Sequence, residues 1–483
     1  MAHKIREVYI VHHSHTDVGY TDLQEQVIYN QTNNIRRAVE LIEEGLEKGT
    51  NQKDLKWNCE TWYCVEQFLK AATKEEKKTF FDLVKKNSIG LSANYLNFND
   101  LADCEYLTEK IHDMQEVCAK EGITLKTAMF ADINGISMGQ RDAMLANGVE
   151  FLYTNIHTHH GMYPLYQNQK PYFWENEDGK RLLVWSGEHY NLGNALGIVF
   201  NKNVNFMTEN YFGKAQGDVA GPLEKLHSNL IASMEEYEEN GYPYDFYITS
   251  VSGVYSDNAP INPAIADTVA LFNEKYGEEV TLRMVTLQEL YDLIRNKVAD
   301  APVYRGAIND WWGNGVGSTP YAVKHYKEAV RLNRICDRLE EKTGVHNAEL
   351  VKAYGDNSLL YAEHTWGHSA TVTNPYDTMV TNLDMRKNSY ASKAHEAAAM
   401  RKNEQCHLLG DILRYYNLSG KVKAVSTSHE KRVFPVEFYV ETMSLPAVKV
   451  TDDKTNEVME VQLSAHPRGV LVSFCLLYTS DAA

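Results

Sequence analysis

The sequence lacks the features that mark several common classes of protein. Its seven cysteines are scattered through 483 residues and form no CxxC pair, which predicts reduced thiols in a cytoplasmic protein. No apolar run is long enough to cross a bilayer, and the N-terminal segment has no apolar stretch of the signal-peptide kind. Basic residues are also few: 48 Lys and Arg against 65 Asp and Glu give a formal net charge of −17. This negative charge argues against a nucleic acid or an anionic membrane as partner and suits a neutral substrate. The sequence does not determine the oligomeric state, and a homo-oligomer is possible.

Strand-like segments alternate with amphipathic helix-like segments from Lys4 to about Asn296. Such alternation predicts parallel strands joined by crossover helices. Seven strands over this length favour a (β/α) barrel of TIM-like size, which we assign to residues 1–300. The predicted strands are Val8–His12, Leu55–Cys59, Ile89–Tyr95, Thr127–Ala131, Glu150–Thr154, Asp245–Ser250 and Thr281–Val285.

The pattern changes after residue 300. Three long helix-like segments with short connections predict an antiparallel helical bundle over residues 301–418. Residues 419–474 are strand-like again and indicate the beginning of a β domain with too few strands to be complete. The last nine residues, 475–483, resemble the translation of a transposase adapter used for sequencing libraries. We therefore expect this tail to be non-native and the β domain to be truncated.

The first candidate site follows the first predicted strand. An apolar run beginning at Val8 ends in three histidines, His12, His13 and His15, followed closely by Asp17. If the chain stays extended there, His15 and Asp17 leave the same face and can bind one ion. The alternative is a polar loop in which a histidine caps the next helix. Three histidines with an aspartate at a strand end favour a metal or catalytic site.

Two later strands are also followed by an aspartate. Asp132 ends the strand at 127–131 and precedes a helix, so it is either a helix cap or a carboxylate in the mouth of a barrel. Asp257 follows the strand at 245–250 after a short loop, where it is either a turn residue or a catalytic carboxylate.

Histidines form two further groups. His364 and His368 lie one turn apart at the end of a predicted helix, which allows a paired-histidine zinc site, although the helix dipole alone favours histidine there. The long insert at 155–219 interrupts the alternation of strands and helices, and loops of that length are usually functional. It contains three histidines in four positions, His157, His159 and His160. They allow a second metal site, but we favour substrate contacts.

The order of these motifs resembles the zinc-dependent α-mannosidases of glycoside hydrolase family 38, and more closely a bacterial branch of that superfamily. The family motif HNDPGW corresponds to residues 15–20 (HTDVGY), DPFGHS to residues 132–137 (DINGIS), and HHDAxTGT to the segment starting at Glu363 (EHTWGH). The resemblance covers nearly all of residues 5–474. It implies an α/β fold: a seven-stranded (β/α) barrel followed by an antiparallel helical bundle and the beginning of a β-sandwich domain.

The resemblance also implies a site. One zinc ion would be bound by His15, Asp17, Asp132 and His364. Asp132 would also be the catalytic nucleophile, and Asp257 the general acid/base. The residues expected to contact the sugar are Tyr20, Trp62, Asp100, His159, His160, His189 and Trp312.

Departures from the family pattern affect the sugar site more than the metal site. Tyr20 replaces a tryptophan, so the platform beneath the sugar is smaller. The second motif lacks its proline and histidine, and the third retains one histidine of a pair.

The function implied is a zinc-dependent retaining α-glycosidase, α-mannosidase-like, that cleaves terminal sugars of oligosaccharides in a bacterial cytoplasm through a glycosyl-enzyme intermediate. One alternative is a zinc hydrolase that uses metal-bound water on an ester or amide. Another is a carbohydrate-binding relative that has lost catalysis. The sequence leaves the sugar, the linkage and the metal open.

Overall fold

The computed structural model describes residues 3–157, 165, 168–199, 222–254, 257–308, 310, 313–410, 420–428, 430, 432–441 and 448–478. The chain divides into two compact units. The first comprises Met1–Lys324 and Gly355–Ser392, and the second comprises His325–Tyr354 and Lys393–Ala483.

Each of the seven strands predicted from the alternating pattern overlaps a strand of the first unit. The described strands of this unit are β1 (Glu7–His13), β2 (Trp57–Cys59), β3 (Ile89–Leu91), β4 (Thr127–Asp132), β5 (Phe151–Ile156), β6 (Lys170–Glu175), β7 (Arg181–His189), β8 (Phe246–Ser252), β9 (Thr281–Met284) and β10 (Val303–Tyr304). Of these, β6, β7 and β10 are additional to the seven. From Val8 onward β1 is buried throughout, as are β4, β5 and β8, which is typical of parallel strands covered on both faces.

The described strands pair in separate sheets. Their orders are β8-β1-β9, β10-β6-β7-β5-β4 and β2-β3. Pairing is parallel between β1 and β8, β2 and β3, β4 and β5, and β5 and β7. The strand β7 belongs to the 155–219 segment, which the sequence suggested was an insert. Its parallel pairing with β5 makes it part of the main sheet.

Helices alternate with these strands along the chain. They are α1 (Gln24–Lys48), α2 (Trp62–Ala71), α3 (Lys74–Lys85), α4 (Cys104–Lys120), α5 (Met138–Ala146), α6 (Leu192–Leu196), α7 (Pro222–Glu239), α8 (Ile265–Tyr276), α9 (Leu287–Ile294) and α10 (Asn314–Ser318). The apolar stripe of α1 is buried at Ile35, Val39 and Ile42, as the helical spacing requires. The helix ends at Gly49, whose φ of 69° suits a residue without a Cβ atom.

Three long helices follow: α11 (Pro320–Thr343), α12 (Ala348–Ala362) and α13 (Thr378–Leu409). Within the second unit a small apolar core includes Leu332, Tyr354 and Ala398. The guanidinium of Arg401 is buried there and is paired with Asp337. Within the described residues, no helix combines the length and the apolarity needed to span a bilayer.

The last described elements of the second unit are strands. They are β11 (Arg432–Glu441), β12 (Val450–Thr451), β13 (Val458–Met459), β14 (Gln462–His466) and β15 (Gly469–Tyr478). β15 pairs antiparallel with both β11 and β14. The last four residues of β15 belong to the tail at 475–483 that we expect to be non-native. The non-native origin of this tail and the predicted domain boundaries stay predictions.

Candidate metal centre

Four buried side chains from three distant parts of the first unit converge at one point. His15, Asp17, Asp132 and His364 each offer one ligand atom, and these atoms all lie within 4.8 Å of one another. The Nε2 atom of His364 lies 3.2 Å from Asp17 Oδ1 and 3.2 Å from Asp132 Oδ2. The Nε2 atom of His15 lies 3.1 Å from Asp17 Oδ1 and 3.9 Å from Asp132 Oδ2. The four predicted ligands therefore form one cluster.

The loop after β1 is held in place by the loop after its parallel neighbour β8. The backbone N–H of Asn258 donates to the carbonyl of His15 at 2.8 Å. The side chain of Asn258 accepts from the N–H of Asp17 and donates to its carbonyl, both at 3.1 Å. The φ of Asn258 is 50°, a left-handed value that asparagine tolerates better than most residues. This asparagine fixes the ligand pair to the segment that carries Asp257.

Asp132 is the last residue of β4 and has a strained backbone. Its φ is 75°, in the left-handed region that residues other than glycine rarely adopt. Its carbonyl accepts from His157 N–H at 3.0 Å, and the neighbouring Ala131 N–H donates to Asn97 Oδ1 at 3.3 Å. Burial raises the pKa of the Asp132 carboxyl, but the hydrogen bond from His364 and the charge of His15 outweigh burial and hold the pKa below its usual range. An ionised carboxylate suits both a ligand and a nucleophile.

A buried glutamate lies behind each histidine of the cluster. Glu60 Oε1 accepts from His15 Nδ1 at 3.0 Å, and Glu363 Oε1 lies 2.8 Å from His364 Nδ1. Metal-binding histidines usually have such a partner on the second ring nitrogen, which fixes the ring orientation. Here both Nδ1 atoms face a glutamate and both Nε2 atoms face the aspartates. The residues therefore fit a divalent cation, and two imidazoles with two carboxylates are a donor set that zinc accepts.

Asp257 has the environment of a carboxylic acid. It is half-buried, and its Oδ1 accepts from the hydroxyl of Tyr190 at 2.5 Å. Burial, followed by the negative charge of Asp17, raises the pKa of Asp257 to about 6. The Tyr190 ring lies against that of His15, with 4.5 Å between centroids. Through this tyrosine Asp257 is connected to the metal cluster.

Tyr20 and His189, two of the residues predicted to contact the sugar, lie close to the cluster or to Tyr190. Tyr20 is half-buried beside the cluster, where burial and the charges of Asp17 and Asp132 raise its pKa to about 12. His189 is buried with its ring 4.3 Å from that of Tyr190. Their contact with a sugar stays a prediction.

Trp62 and Asp100 lie in contrasting places. Trp62 is buried in the hydrophobic core at the start of α2, whereas Asp100 is exposed. Their roles, too, stay predictions, and His159, His160 and Trp312 lie outside the described residues.

His12, His13 and His368 lie outside the cluster. His368 Nδ1 accepts from Ala370 N–H at 2.9 Å. His12 packs against Trp57, and burial lowers its pKa to about 3. His13 Nδ1 lies 2.6 Å from Glu60 Oε2.

Sequence reasoning missed the residues that support the cluster. Glu60 lies outside every motif, and Glu363 was quoted in the third motif without a role. Asn97 was also missed: it donates to Glu60 at 2.7 Å, and its carbonyl accepts from His364 N–H at 2.9 Å. A signal existed only for Glu363, which directly precedes a predicted ligand.

The solved structures that share this fold include two from Enterococcus faecalis. An α-mannosidase from Enterococcus faecalis V583 aligns with a TM-score of 0.63 and 13% identity, covering 99% of this chain and 55% of that one. A protein in the glycosyl hydrolase family 38 from Enterococcus faecalis aligns with a TM-score of 0.58 and 12% identity, covering 98% of this chain and 52% of that one. The chain thus spans about half the length of these structures.

Two comparisons with known sequences, one with curated proteins and one with family models, give different results. No curated protein matches the chain. The family model "Glycosyl hydrolases family 38 N-terminal domain" matches residues 6–307, more than half of the sequence, and this region contains three of the four clustered residues. The chain therefore belongs to glycosyl hydrolase family 38.

Proposed function

We propose that this chain is a zinc-dependent retaining α-glycosidase of the α-mannosidase kind, acting on terminal sugars of oligosaccharides. The observation that carries the proposal is the convergence of His15, Asp17, Asp132 and His364 in a chain of this family. The bacterial cytoplasm remains the proposed setting: the family resemblance suggests a bacterium, and the scattered free cysteines support a reducing compartment.

The proposed chemistry assigns the two steps of a retaining mechanism to two carboxyl groups. In the first step Asp132 attacks the anomeric carbon, while protonated Asp257 donates its proton to the leaving oxygen. In the second step the Asp257 carboxylate removes a proton from water, and that water displaces Asp132 and restores both groups. The raised pKa of Asp257, about 6, and the lowered pKa of Asp132 support this division of roles.

The cluster would bind the metal ion through one atom from each of its four residues. When bound, the ion would supply a Lewis acid that coordinates and orients neighbouring sugar hydroxyls. Glu60 and Glu363 hold the two imidazole rings in the orientation that this binding needs. Tyr20, half-buried beside the cluster, is the proposed platform beneath the sugar.

The finer description of the fold belongs to this proposal. We infer that the parallel strands form the seven-stranded (β/α) barrel of the family. The helices α11 to α13 would be its bundle, and β11 to β15 the start of its β-sandwich domain. Parallel pairing of β1 with β8 and of β4 with β5 supports this inference.

The test combines turnover with covalent labelling. Zinc-loaded protein is assayed on an aryl α-mannoside, and the site of labelling by a fluorinated mannosyl fluoride is located by peptide mass spectrometry. We expect hydrolysis, a label on Asp132, and neither with Asp132→Asn. The exposed Asp54 provides a matched control, Asp54→Asn, which should retain both.

The two alternatives predict different outcomes. A hydrolase that uses metal-bound water would cleave an ester or amide and leave Asp132 unlabelled. A carbohydrate-binding relative would bind sugar without turnover of any α-glycoside. Either result would contradict the proposed function.

A further inference from the structure

A lysine on α13 is buried beside the end of α12. Lys387 is 3% exposed, and its ammonium donates to the carbonyl of Leu360 at 3.0 Å, to the carbonyl of Glu363 at 2.8 Å and to Glu363 Oε2 at 3.2 Å. A lysine ammonium has three N–H donors, so each of them has an acceptor here. The Trp366 ring lies over the same ammonium, 5.0 Å from its centroid. Burial of a charge costs free energy unless the charge is paired and hydrogen-bonded, as this ammonium is.

Two of the three acceptors are backbone groups at a helix terminus. The last carbonyls of a helix lack partners within the helix, and a cation there also complements the helix dipole. Leu360 lies in the last turn of α12, and Glu363 directly follows its last residue. Lys387 therefore fixes the turn by which the chain leaves α12 and enters the His364 segment.

The third acceptor is the carboxylate behind the metal ligand. Glu363 Oε2 accepts from Lys387 and also from Thr365, at 2.6 Å from the hydroxyl. The other oxygen, Oε1, lies 2.8 Å from His364 Nδ1. Glu363 and His364 are both fully buried. The carboxylate is thus held on one side by Lys387 and presented on the other side to the imidazole.

We propose that Lys387 is a positioning residue for the metal ligand His364 and acts through Glu363. By fixing the carboxylate, it keeps the His364 ring turned so that Nε2 faces Asp17 and Asp132. This inference rests on the proposed metal centre. It adds a residue 23 positions downstream of the ligand, outside the residues matched by the family model. Loss of such a supporting partner typically lowers metal affinity about 10- to 100-fold.

The test measures the dissociation constant for Zn²⁺ by competition with a chromophoric chelator on the whole chain. Lys387→Met, which keeps the length of the side chain, should raise it about 10- to 100-fold. Lys393→Met provides the control, because Lys393 is exposed on the same helix; it should leave the constant unchanged. A lysine that serves only stability would instead lower the melting temperature of the metal-free protein without changing the Zn²⁺ affinity of the folded fraction, and that result would overturn the proposal.

A second comparison holds even if Lys387→Met does not fold. Glu363→Gln removes the buried charge, so loss of the lysine no longer leaves that carboxylate unpaired. If Lys387 acts through Glu363, adding Lys387→Met to Glu363→Gln should weaken Zn²⁺ binding less than about threefold further, since coupled residues are not additive. A further loss as large as tenfold would overturn the proposal.

The two levels of inference fail separately. If the unaltered chain binds no Zn²⁺, the metal centre is wrong and Lys387 has no ligand to position. If the unaltered chain binds Zn²⁺ and Lys387→Met binds it equally well, only the role of Lys387 is wrong.

Discussion

Replacing Glu60 with alanine removes an acceptor on which much of the ligand-bearing loop depends. Its Oε2 accepts from His13 Nδ1 at 2.6 Å. Its Oε1 accepts from His15 Nδ1 at 3.0 Å, from Thr16 N–H at 3.1 Å and from Asn97 Nδ2 at 2.7 Å. The carboxylate is fully buried, so bulk water cannot replace these hydrogen bonds when the carboxylate is removed. Glu60→Ala would leave four buried donors without this acceptor.

The size of the effect follows from the charge as well as the bonds. Hydrogen bonds to a charged group contribute about 1.5–3 kcal/mol each, but bonds to one shared acceptor are not additive. Removing one partner of a buried ion pair typically costs about 3–5 kcal/mol. We therefore expect Glu60→Ala to lower the free energy of unfolding of the metal-free protein by about 3–5 kcal/mol at neutral pH.

The effect should also depend on pH. Burial raises the pKa of Glu60, but the charge of His15 and the hydrogen bonds from His13 and His15 outweigh it and hold the pKa well below its usual range. A depressed pKa in the folded state gives stability that is fully present above the ordinary glutamate value of about 4.3 and is lost as the pH falls below it. The difference in unfolding free energy between Glu60→Ala and the unaltered protein should therefore begin to shrink below about pH 5 and keep shrinking as the pH falls toward the depressed pKa of Glu60.

Urea unfolding monitored by tryptophan fluorescence is the assay. The control is Glu278→Ala, because Glu278 is exposed in the first unit; its effect should stay within about 0.5 kcal/mol. A loss below about 1 kcal/mol for Glu60→Ala would refute the reasoning, because the four bonds would then contribute no more than one ordinary hydrogen bond.

Three further predictions concern the acid, its partner and the metal. Asp257→Asn should lower kcat/KM on an alkyl α-mannoside about 10²- to 10⁴-fold. The loss should be much smaller on a dinitrophenyl α-mannoside, because its leaving group needs no proton. Equal losses on the two substrates would contradict the acid role. The unaltered enzyme should lose activity as the pH rises above about 6, where Asp257 gives up its proton. Tyr190→Phe should move this limit to higher pH, because the hydrogen bond from Tyr190 lowers the pKa of Asp257, and a pH–rate profile that does not move would contradict it. Removal of the metal with a chelator should lower the melting temperature of the protein. Zn²⁺ added at 100 times its dissociation constant should raise the free energy of unfolding by about 2.7 kcal/mol. An unchanged melting curve would contradict a metal bound to the folded state.

The alternation of strands and helices was predictable because it is a local property of the sequence. Burial on both faces requires continuous apolar runs, and those runs identify β1, β4, β5 and β8. Strand ends were less predictable: the predicted strand Ile89–Tyr95 shortens to Ile89–Leu91. Beyond it the chain bonds outside the ladder, as when Ala93 N–H donates to the carbonyl of Thr127. The pairing of β7 with β5 was missed because the segment around β7 was interpreted as an insert into the alternating pattern.

The metal cluster was predictable only where a ligand belongs to a recognisable motif. His15 and Asp17 lie two positions apart in one motif, and Asp132 and His364 were identified by the family resemblance. Glu60 follows a short strand and has no motif around it. Its role depends on a contact with a histidine 45 positions away, which no local pattern encodes. The same holds for Lys387, whose meaning appears only when α13 is placed beside the end of α12.

The central claim is that one divalent ion is held by two histidines and two aspartates. Anomalous diffraction at the zinc edge from crystals grown with Zn²⁺ tests it most directly. We predict a single strong peak in the first unit, coordinated by His15, Asp17, Asp132 and His364. A zinc peak elsewhere, or no peak at this cluster, would contradict the account.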